Sequence, residues 1–369
     1  MQPIIAKDSN NSREMIMQQT LYPFLFEPNL HKVVWGGQRL RPWKGMTPND
    51  DPIGESWEVS TVPSSVSVIA NGVCRGKPLT DVISLHPEEI LGRAVARKYG
   101  CQLPLLVKFI DAERDLSIQV HPDDRMARQE HGKMGKSEMW YIIDAKPGAF
   151  LYCGFKEKLT PERYKSMVSD ETIVDALARH EVKTGDVFYI PAGRVHAICG
   201  GILLAEVQQS SDVTYRIFDY NRPGMDGKPR ELHTELAARA LDYEVKEEYR
   251  TDYVDDAAHA NHCIDSEFFN VRVVNVDAPF HRNLKKYDSF IISMCMMGNC
   301  TIRIRETGDT IDVHEGFSCL IPACIADYDV VPSGGSRECR LLDAFIDNRD
   351  NTIAGQLKRF LHVTEKGNK

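Results

Sequence analysis

The sequence predicts a mainly β chain: two successive jelly-roll barrels with a small helical insertion. Three observations carry that prediction. Short runs such as Val187–Phe188–Tyr189–Ile190 alternate with period two between glycine, proline and asparagine turns, which is the pattern of half-buried strands. Helical periodicity is confined to three stretches. The spacing of glycine, five residues and proline occurs at Gly185–Pro191 and again at Gly316–Pro322, each time between strand-like runs, and so reads as an internal repeat. A length of 369 residues is also too great for one ordinary domain.

Residues 1–20, polar and rich in Asn and Ser, read as a flexible lead-in. From Tyr22 the text is strand-like and interrupted by turns, through LYPFLFEPNL, VVWGGQRL and GESWEVS; Trp57, in an alternating run, is expected to point inward. A helix is expected from Thr80 to Arg97, ending before Gly100. Next, LPLLVKFIDA and LSIQVHPDD read as consecutive strands. A second helix is expected from Thr160 to Arg179, with Thr160 as N-cap and Pro161 in the first turn, and a third from Thr234 to about Leu241. The span Phe269–Phe345 is β-rich, with turns such as MGNC. These readings divide the chain into a metal-binding barrel over 21–157 plus 181–222, helical segments over 158–180 and 223–255, and a degenerate second barrel over 256–369.

Composition excludes several classes. Hydrophobic residues make up 42% and charged residues 27% of the chain, as in a globular enzyme. No apolar run reaches the roughly 18 residues of a membrane span, and no basic and apolar leader opens the sequence. Ten cysteines without a C-x-x-C pair point to free thiols in a reducing cytoplasm. A net charge of -8 with no basic block argues against a nucleic-acid partner. Oligomeric state, monomer or dimer, stays open.

The first repeat carries the chemistry. GDVFYIPAGRVH reads as a strand, a turn in which Pro191 fixes φ and Gly193 frees it, and a second strand delivering His196. This spacing resembles the second signature of the cupin superfamily. Gln119 and His121, two apart in SIQVHPDD, project from one face of a strand, and Glu138 heads the strand in KSEMWYIID. Alone, each of these reads as structural: a turn histidine, a loop cap before Pro122, a solvated strand end. Together, a glutamine, two histidines and a glutamate make a four-ligand set that suits zinc with a position open for substrate. In the second repeat Asp327 stands where His196 does, which predicts a metal site in the first barrel only.

With LPLLVKFIDAERDLSIQVHPDD, GKSEMWYIID, GDVFYIPAGRVHAI and AEVQQSSDVTYRIFDYNR in this order, the chain resembles the type I, zinc-dependent mannose-6-phosphate isomerases in their short bacterial form. The resemblance implies one Zn²⁺ per chain on Gln119, His121, Glu138 and His196, a catalytic arginine at Arg216, and Ser117, Lys136 and Glu206 as active-site neighbours. It implies a sugar-phosphate substrate and reversible conversion of mannose 6-phosphate to fructose 6-phosphate through a metal-stabilised enediolate. Gln119 replaces the histidine usual in a cupin's first motif, which weighs against an oxygen-activating iron site.

The residues suit that chemistry. Alternation in GILLAEVQQS puts Glu206 on the face of Leu204, where a partly desolvated carboxylate can shuttle a proton; the alternative is a structural ion pair with Arg216. Arg216 can bind a phosphate or stabilise the enediolate. Lys136, on the face of Glu138, can bind a phosphate or hydroxyl, and Ser117 can donate to a phosphate oxygen. Two competing readings remain: another metal cupin enzyme, and a sugar-sensing protein of the same fold. The second could dispense with Lys136, Glu206 and Arg216.

Overall fold

The computed structural model describes residues 21–256 and 260–348; the lead-in expected over 1–20 lies outside the described residues. The chain opens with β1 (Phe24–Leu25), β2 (Leu30–Gly37), helix α1 (Leu40–Trp43) and β3 (Ile53–Val59). Three short helices follow, α2 (Leu79–Leu85), α3 (Pro87–Leu91) and α4 (Arg93–Tyr99), then β4 (Leu105–Ala112), β5 (Ile118–Val120), α5 (Asp124–His131), β6 (Glu138–Ala145) and β7 (Phe150–Phe155). Helix α6 (Pro161–Ser169) leads to β8 (Leu177–Glu181), β9 (Val187–Ile190), β10 (His196–Ile198), β11 (Ile202–Gln209) and β12 (Tyr215–Phe218). After α7 (Thr234–Ala240) come β13 (Ala260–Asp265), β14 (Asn270–Val276), β15 (Phe280–Asn283), β16 (Ile291–Met297), β17 (Cys300–Ile304), β18 (Thr310–Val313), β19 (Ser318–Ile321), β20 (Asp327–Pro332) and β21 (Cys339–Phe345).

Antiparallel pairing joins β2-β3-β4-β11-β6-β9 and β12-β5-β10-β7-β8 into the two sheets of a first barrel, closed over a core in which Ile110, Trp140 and Leu204 meet Leu151 and Ile198. A second barrel closes β1-β19-β16-β21-β14-β13 over β15-β20-β17-β18. Strands β4 and β11 are buried along their whole length, and the reason is the largest apolar cluster of the molecule. There Val107, Phe109 and Val207, on the outer face of the first barrel, meet Val271, Ile292 and Leu342 of the second. Both faces of β4 are therefore covered, so LLVKFIDA reads as a nearly continuous apolar run rather than an alternating one.

The repeat is visible in the register. Gly185 and Gly316 both hold a positive φ, 91° and 81°, which favours glycine. Ile190 lies opposite Glu138 as Ile321 lies opposite Ile291; His196 lies opposite Gln119 as Asp327 lies opposite Asn283. Glu138, His196 and Gln119 of the first barrel thus correspond to Ile291, Asp327 and Asn283 of the second, and the ligand set is gone there.

Four expectations need correction. The single helix from Thr80 to Arg97 is three helices. Pro87 offers no N–H to continue α2, and Gly92, at φ 91°, sits against the backbone of Asp288, where a Cβ would come within 2.0 Å of the carbonyl oxygen. The helix expected up to Arg179 starts as anticipated, Thr160 Oγ1 accepting from the Arg163 N–H at 3.2 Å, but ends at Ser169. Leu177 to His180, placed among the helical residues 158–180, belong instead to strand β8, paired with β7. Finally Phe24–Leu25, assigned to the first barrel, pairs with Leu320 and Cys319 of the second, so the described chain begins by tying the two barrels together. Trp57 is buried as expected, against Val62 and Leu106.

A buried ion pair also lies at the junction, bonded across it. Lys44 Nζ lies 2.5 Å from Glu58 Oε1 and donates to the Gly316 carbonyl, and Ser318 Oγ donates to Glu58 Oε2 at 3.1 Å. Burial pushes the Lys44 ammonium below its ordinary range while Glu58 opposes the shift. Lys44→Met would leave Glu58 buried and uncompensated, so it should cost about 3–5 kcal/mol of unfolding free energy in a urea titration. Lys146→Met, which removes an exposed pair with Glu113, should leave the titration nearly unchanged. Equal, small effects would show that the buried pair does not hold the barrels together.

Candidate metal centre

Strand ends bring the site together. His121 follows β5 directly, Glu138 opens β6 and His196 opens β10. Pro122 ends β5, and Asp123 then caps α5 by accepting from the Met126 N–H at 2.7 Å. This helix fills much of the stretch between His121 and Glu138. On the other side, the Gly193 N–H of the spaced turn donates to the His121 carbonyl at 2.9 Å, tying the two histidine-bearing segments to each other.

The three side chains are buried, and their ligand atoms all lie within 4.8 Å of one another. His121 Nε2 is 3.4 Å from Glu138 Oε2 and His196 Nε2 is 3.2 Å from Oε1. Each imidazole is oriented from behind, Nδ1 facing the carbonyl of Val213 for His121 and of Arg194 for His196, at 2.9 and 2.8 Å. A ring whose Nδ1–H donates to a carbonyl presents its Nε2 lone pair to the centre. Burial, then the neighbouring Lys136 ammonium, pushes His121 down to about 3; burial also lowers His196, against the pull of Glu138. Both rings are neutral donors at neutral pH. Burial alone would raise Glu138, but Lys136 and the two imidazoles hold its carboxyl well below the usual range.

These residues fit a divalent transition metal. Neither oxygen of Glu138 has an aligned hydrogen bond although both are buried, and such orphaned anionic oxygens are costly unless a cation meets them. Lys136 Nζ, 2.9 Å from Glu138 Oε2 and 3.0 Å from His121 Nε2, is already one such cation. Gln119 stands beside the cluster, its Nε2 3.2 Å from His196 Nε2, and Ser117 Oγ donates to Gln119 Oε1 at 3.4 Å. Among the described residues no other group of three His, Cys, Asp or Glu side chains is arranged to hold a metal.

Glu206 and Arg216 are not members of that cluster and lie on separate strands. Glu206 lies on β11 opposite Trp140 and Lys108; Trp140 Nε1–H donates to its Oε2 at 2.9 Å, and Lys108 Nζ is 3.1 Å from its Oε1. Its ion pair is thus with Lys108, and the alternative of a structural pair with Arg216 is corrected. Arg216, opposite Gln119 on β12, donates from Nη1 to the Glu231 carbonyl at 2.9 Å, while its Nε is buried without a partner. Nearby, Asp219 holds Arg222 and Arg230 at 2.9 and 2.5 Å, and burial followed by the charge of Arg230 lowers Arg216 from its usual value.

Sequence reasoning missed Lys108, Glu55, Trp140, Arg222 and Arg230. Lys108 left one signal, a lysine inside an otherwise apolar strand. Although burial opposes it, Glu206 and Glu55 hold its ammonium above the usual range.

Two antiparallel barrels, one with a buried His–Glu–His cluster at its strand ends and the other without, define a two-barrel β-protein with a single candidate metal centre. Residues 24–148 match the catalytic domain of phosphomannose isomerase type I. The chain is 34% identical over 312 residues to a probable mannose-6-phosphate isomerase of Bacillus subtilis (strain 168), covering 84% of this chain and 96% of that protein. It is 40% identical over 219 residues to the mannose-6-phosphate isomerase of Streptococcus mutans, covering 59% and 67%. The crystal structure of mannose 6-phosphate isomerase from Bacillus subtilis superposes with a TM-score of 0.78 at 30% identity, covering 88% of this chain and 99% of that one. The chain belongs to the type I phosphomannose isomerase family. No described helix is long and apolar enough to cross a membrane.

The histidine shifts set a pH dependence for the metal-free protein. A histidine lowered from 6.5 to about 3, as His121 is, is neutral when folded but takes a proton when unfolded below pH 6.5, so acid favours the unfolded chain. Stability should therefore fall as the pH drops below 6.5 and continue falling towards 3, and His121→Gln should flatten that slope in pH-dependent urea titrations. An unchanged slope would place the acid lability elsewhere.

Proposed function

We propose that this protein interconverts mannose 6-phosphate and fructose 6-phosphate, with Zn²⁺ held by His121, Glu138, His196 and Gln119. The observation that carries the reading is the inner wall of the first barrel, where a buried carboxylate, Glu206, lies two residue pairs from Glu138 in the strand register, on the same face. A bound Zn²⁺ would polarise the carbonyl and hydroxyl oxygens of the sugar as a Lewis acid.

The remaining work falls to side chains. Moving a carbonyl from C1 to C2 takes a proton from C2 and returns it to C1, and Glu206 Oε1, buried without an aligned hydrogen bond, is the acceptor and donor we assign. Trp140 fixes its other oxygen. Lys136 is the cation that faces negative charge developing on the sugar oxygens, a preorganised arrangement that favours the intermediate over the neutral sugar. Arg216 offers an unpartnered Nε, and with Arg222 and Arg230 it makes a guanidinium-rich rim that suits a phosphate dianion. Ser117 acts on this reading through Gln119, to which it is bonded.

Purified protein should turn over mannose 6-phosphate in a coupled assay and lose that activity on prolonged chelation, with zinc restoring it and elemental analysis giving one equivalent per chain. Full activity in metal-free protein would overturn the metal assignment, and two tight equivalents would overturn the single-site reading. His196→Ala should cost more metal affinity than Gln119→Ala, since an imidazole is the stronger zinc donor.

Arg216 and Glu206 separate binding from chemistry. If the Arg216 guanidinium meets charge that grows in the transition state, Arg216→Ala should lower kcat and kcat/KM together by about 30- to 1000-fold, or about 2–4 kcal/mol. A raised KM with unchanged kcat would make it a ground-state phosphate binder. Glu206→Gln should nearly stop exchange of the substrate C2 proton with solvent while the metal content holds. Wild-type exchange in that variant would remove Glu206 from the mechanism.

A further inference from the structure

The carboxylate on the inner wall has a counterpart in the second barrel. Glu206 lies opposite Lys108 on one side and Trp140 on the other. By the same register, Asp343 lies opposite Arg272 and Ser293. Both barrels thus keep a buried acid between a basic residue and a hydrogen-bond donor, although only the first keeps a metal-ligand set. The two acids differ in what is left free. Asp343 is closed on both oxygens, Oδ1 by Ser293 Oγ–H at 2.6 Å and Oδ2 by the Arg282 Nη2–H at 2.6 Å. Glu206 is closed on one only: Oε2 takes the Trp140 N–H, whereas Oε1, 3.1 Å from Lys108 Nζ, has no aligned hydrogen bond.

Lys108 meets Oε1 as an ion pair at 3.1 Å, without the alignment of a hydrogen bond. Its Nζ sits 5.0 Å over the Trp57 ring and 3.8 Å from Glu55 Oε2, and Glu55 is in turn fixed by the Trp57 indole N–H at 2.6 Å. The ammonium therefore supplies charge beside Glu206 while the lone pairs of Oε1 remain available for a substrate proton. A guanidinium, with five donors in a rigid fork, would tend to occupy them, as Arg282 occupies Asp343.

We propose that Lys108, anchored by Glu55 and Trp57, is the positioning residue of the isomerisation: it fixes the Glu206 carboxylate against the substrate while leaving Oε1 free to carry the proton. The inference rests on Glu206 being the proton-transfer group. A residue that acts only through Glu206 must lose its effect once Glu206 can no longer carry a proton, and a double-mutant cycle reads that directly.

Five proteins are compared as metal-loaded full chains: wild type, Lys108→Met, Lys108→Arg, Glu206→Gln, and the double variant of Lys108→Met with Glu206→Gln, which removes both charges and so keeps the wall neutral if Lys108→Met alone does not fold. Lys108→Met should lower kcat and C2-proton exchange by about tenfold or more with little change in KM. Lys108→Met added to Glu206→Gln should cost nothing further. Lys108→Arg should recover only part of the rate, because the charge returns but the fork competes for Oε1. A kcat for Lys108→Met within about twofold of wild type, or a further tenfold loss when it is added to Glu206→Gln, would overturn the assignment. Wild-type turnover by Glu206→Gln would instead remove the base on which it rests, a failure distinct from an inactive Glu206→Gln beside an active Lys108→Met.

Discussion

A fully buried carboxylate that no hydrogen-bond donor meets in line is the constraint on which this molecule turns. Glu138 has no exposed surface, and desolvating an anion to that degree costs several kcal/mol unless cations or donors repay it. Here the compensating charge among the side chains is Lys136, 2.9 Å from Oε2, while two neutral imidazoles turn their Nε2 lone pairs to the same centre. Everything that orients those groups acts on the same charge: the carbonyls behind the imidazoles, the bond between the Gly193 turn and the His121 carbonyl, and the cap that starts α5.

The scaffold that tolerates such a charge is the shared wall between the barrels. Strands β4 and β11 carry polar residues inward, Lys108 and Glu206, and apolar residues outward, Val107, Phe109 and Val207, against the second barrel. The second barrel thus covers the back of that wall, excluding water from the outer face of the strands that hold Glu206. Its junction is fastened three ways: by the apolar cluster, by β1 crossing to β19, and by the Lys44–Glu58 pair. A loss of fit there would move the strands on which the inner residues are registered.

Local spacing made part of this legible in the sequence. The glycine–proline turn, the two-residue step from Gln119 to His121 and the strand head at Glu138 each depend on a few neighbouring residues, so strand ends and ligand types could be read directly. The repeat was readable for the same reason. What escaped was set by register between distant strands: nothing near Lys108 announces that it will face Glu206, and nothing near Phe24 announces a partner in β19. The helix breaks were a different failure. Pro87 and Gly92 were visible breakers, but the apolar periodicity across 80–97 outweighed them. Asp288, whose backbone crowds Gly92, lies in the other barrel.

The two barrels can be read as one design used twice with different residues in equivalent places. Glu138 becomes Ile291, His196 becomes Asp327 and Gln119 becomes Asn283, so the second barrel cannot offer the first barrel's N and O donor set; yet the acid at Glu206 persists as Asp343 and its basic neighbour as Arg272. Loss of ligands with retention of the acid–base row indicates that the row answers to the fold as well as to the chemistry. In the second barrel, with no substrate to leave room for, both oxygens of the acid are bonded and the charge is simply neutralised within the core. In the first barrel one oxygen has an ion-pair contact with Lys108 but no aligned hydrogen bond, an arrangement that costs stability. On the proposed function, the difference between the two carboxylates, at the same place in the two barrels, is what suits the first barrel and not the second to proton transfer.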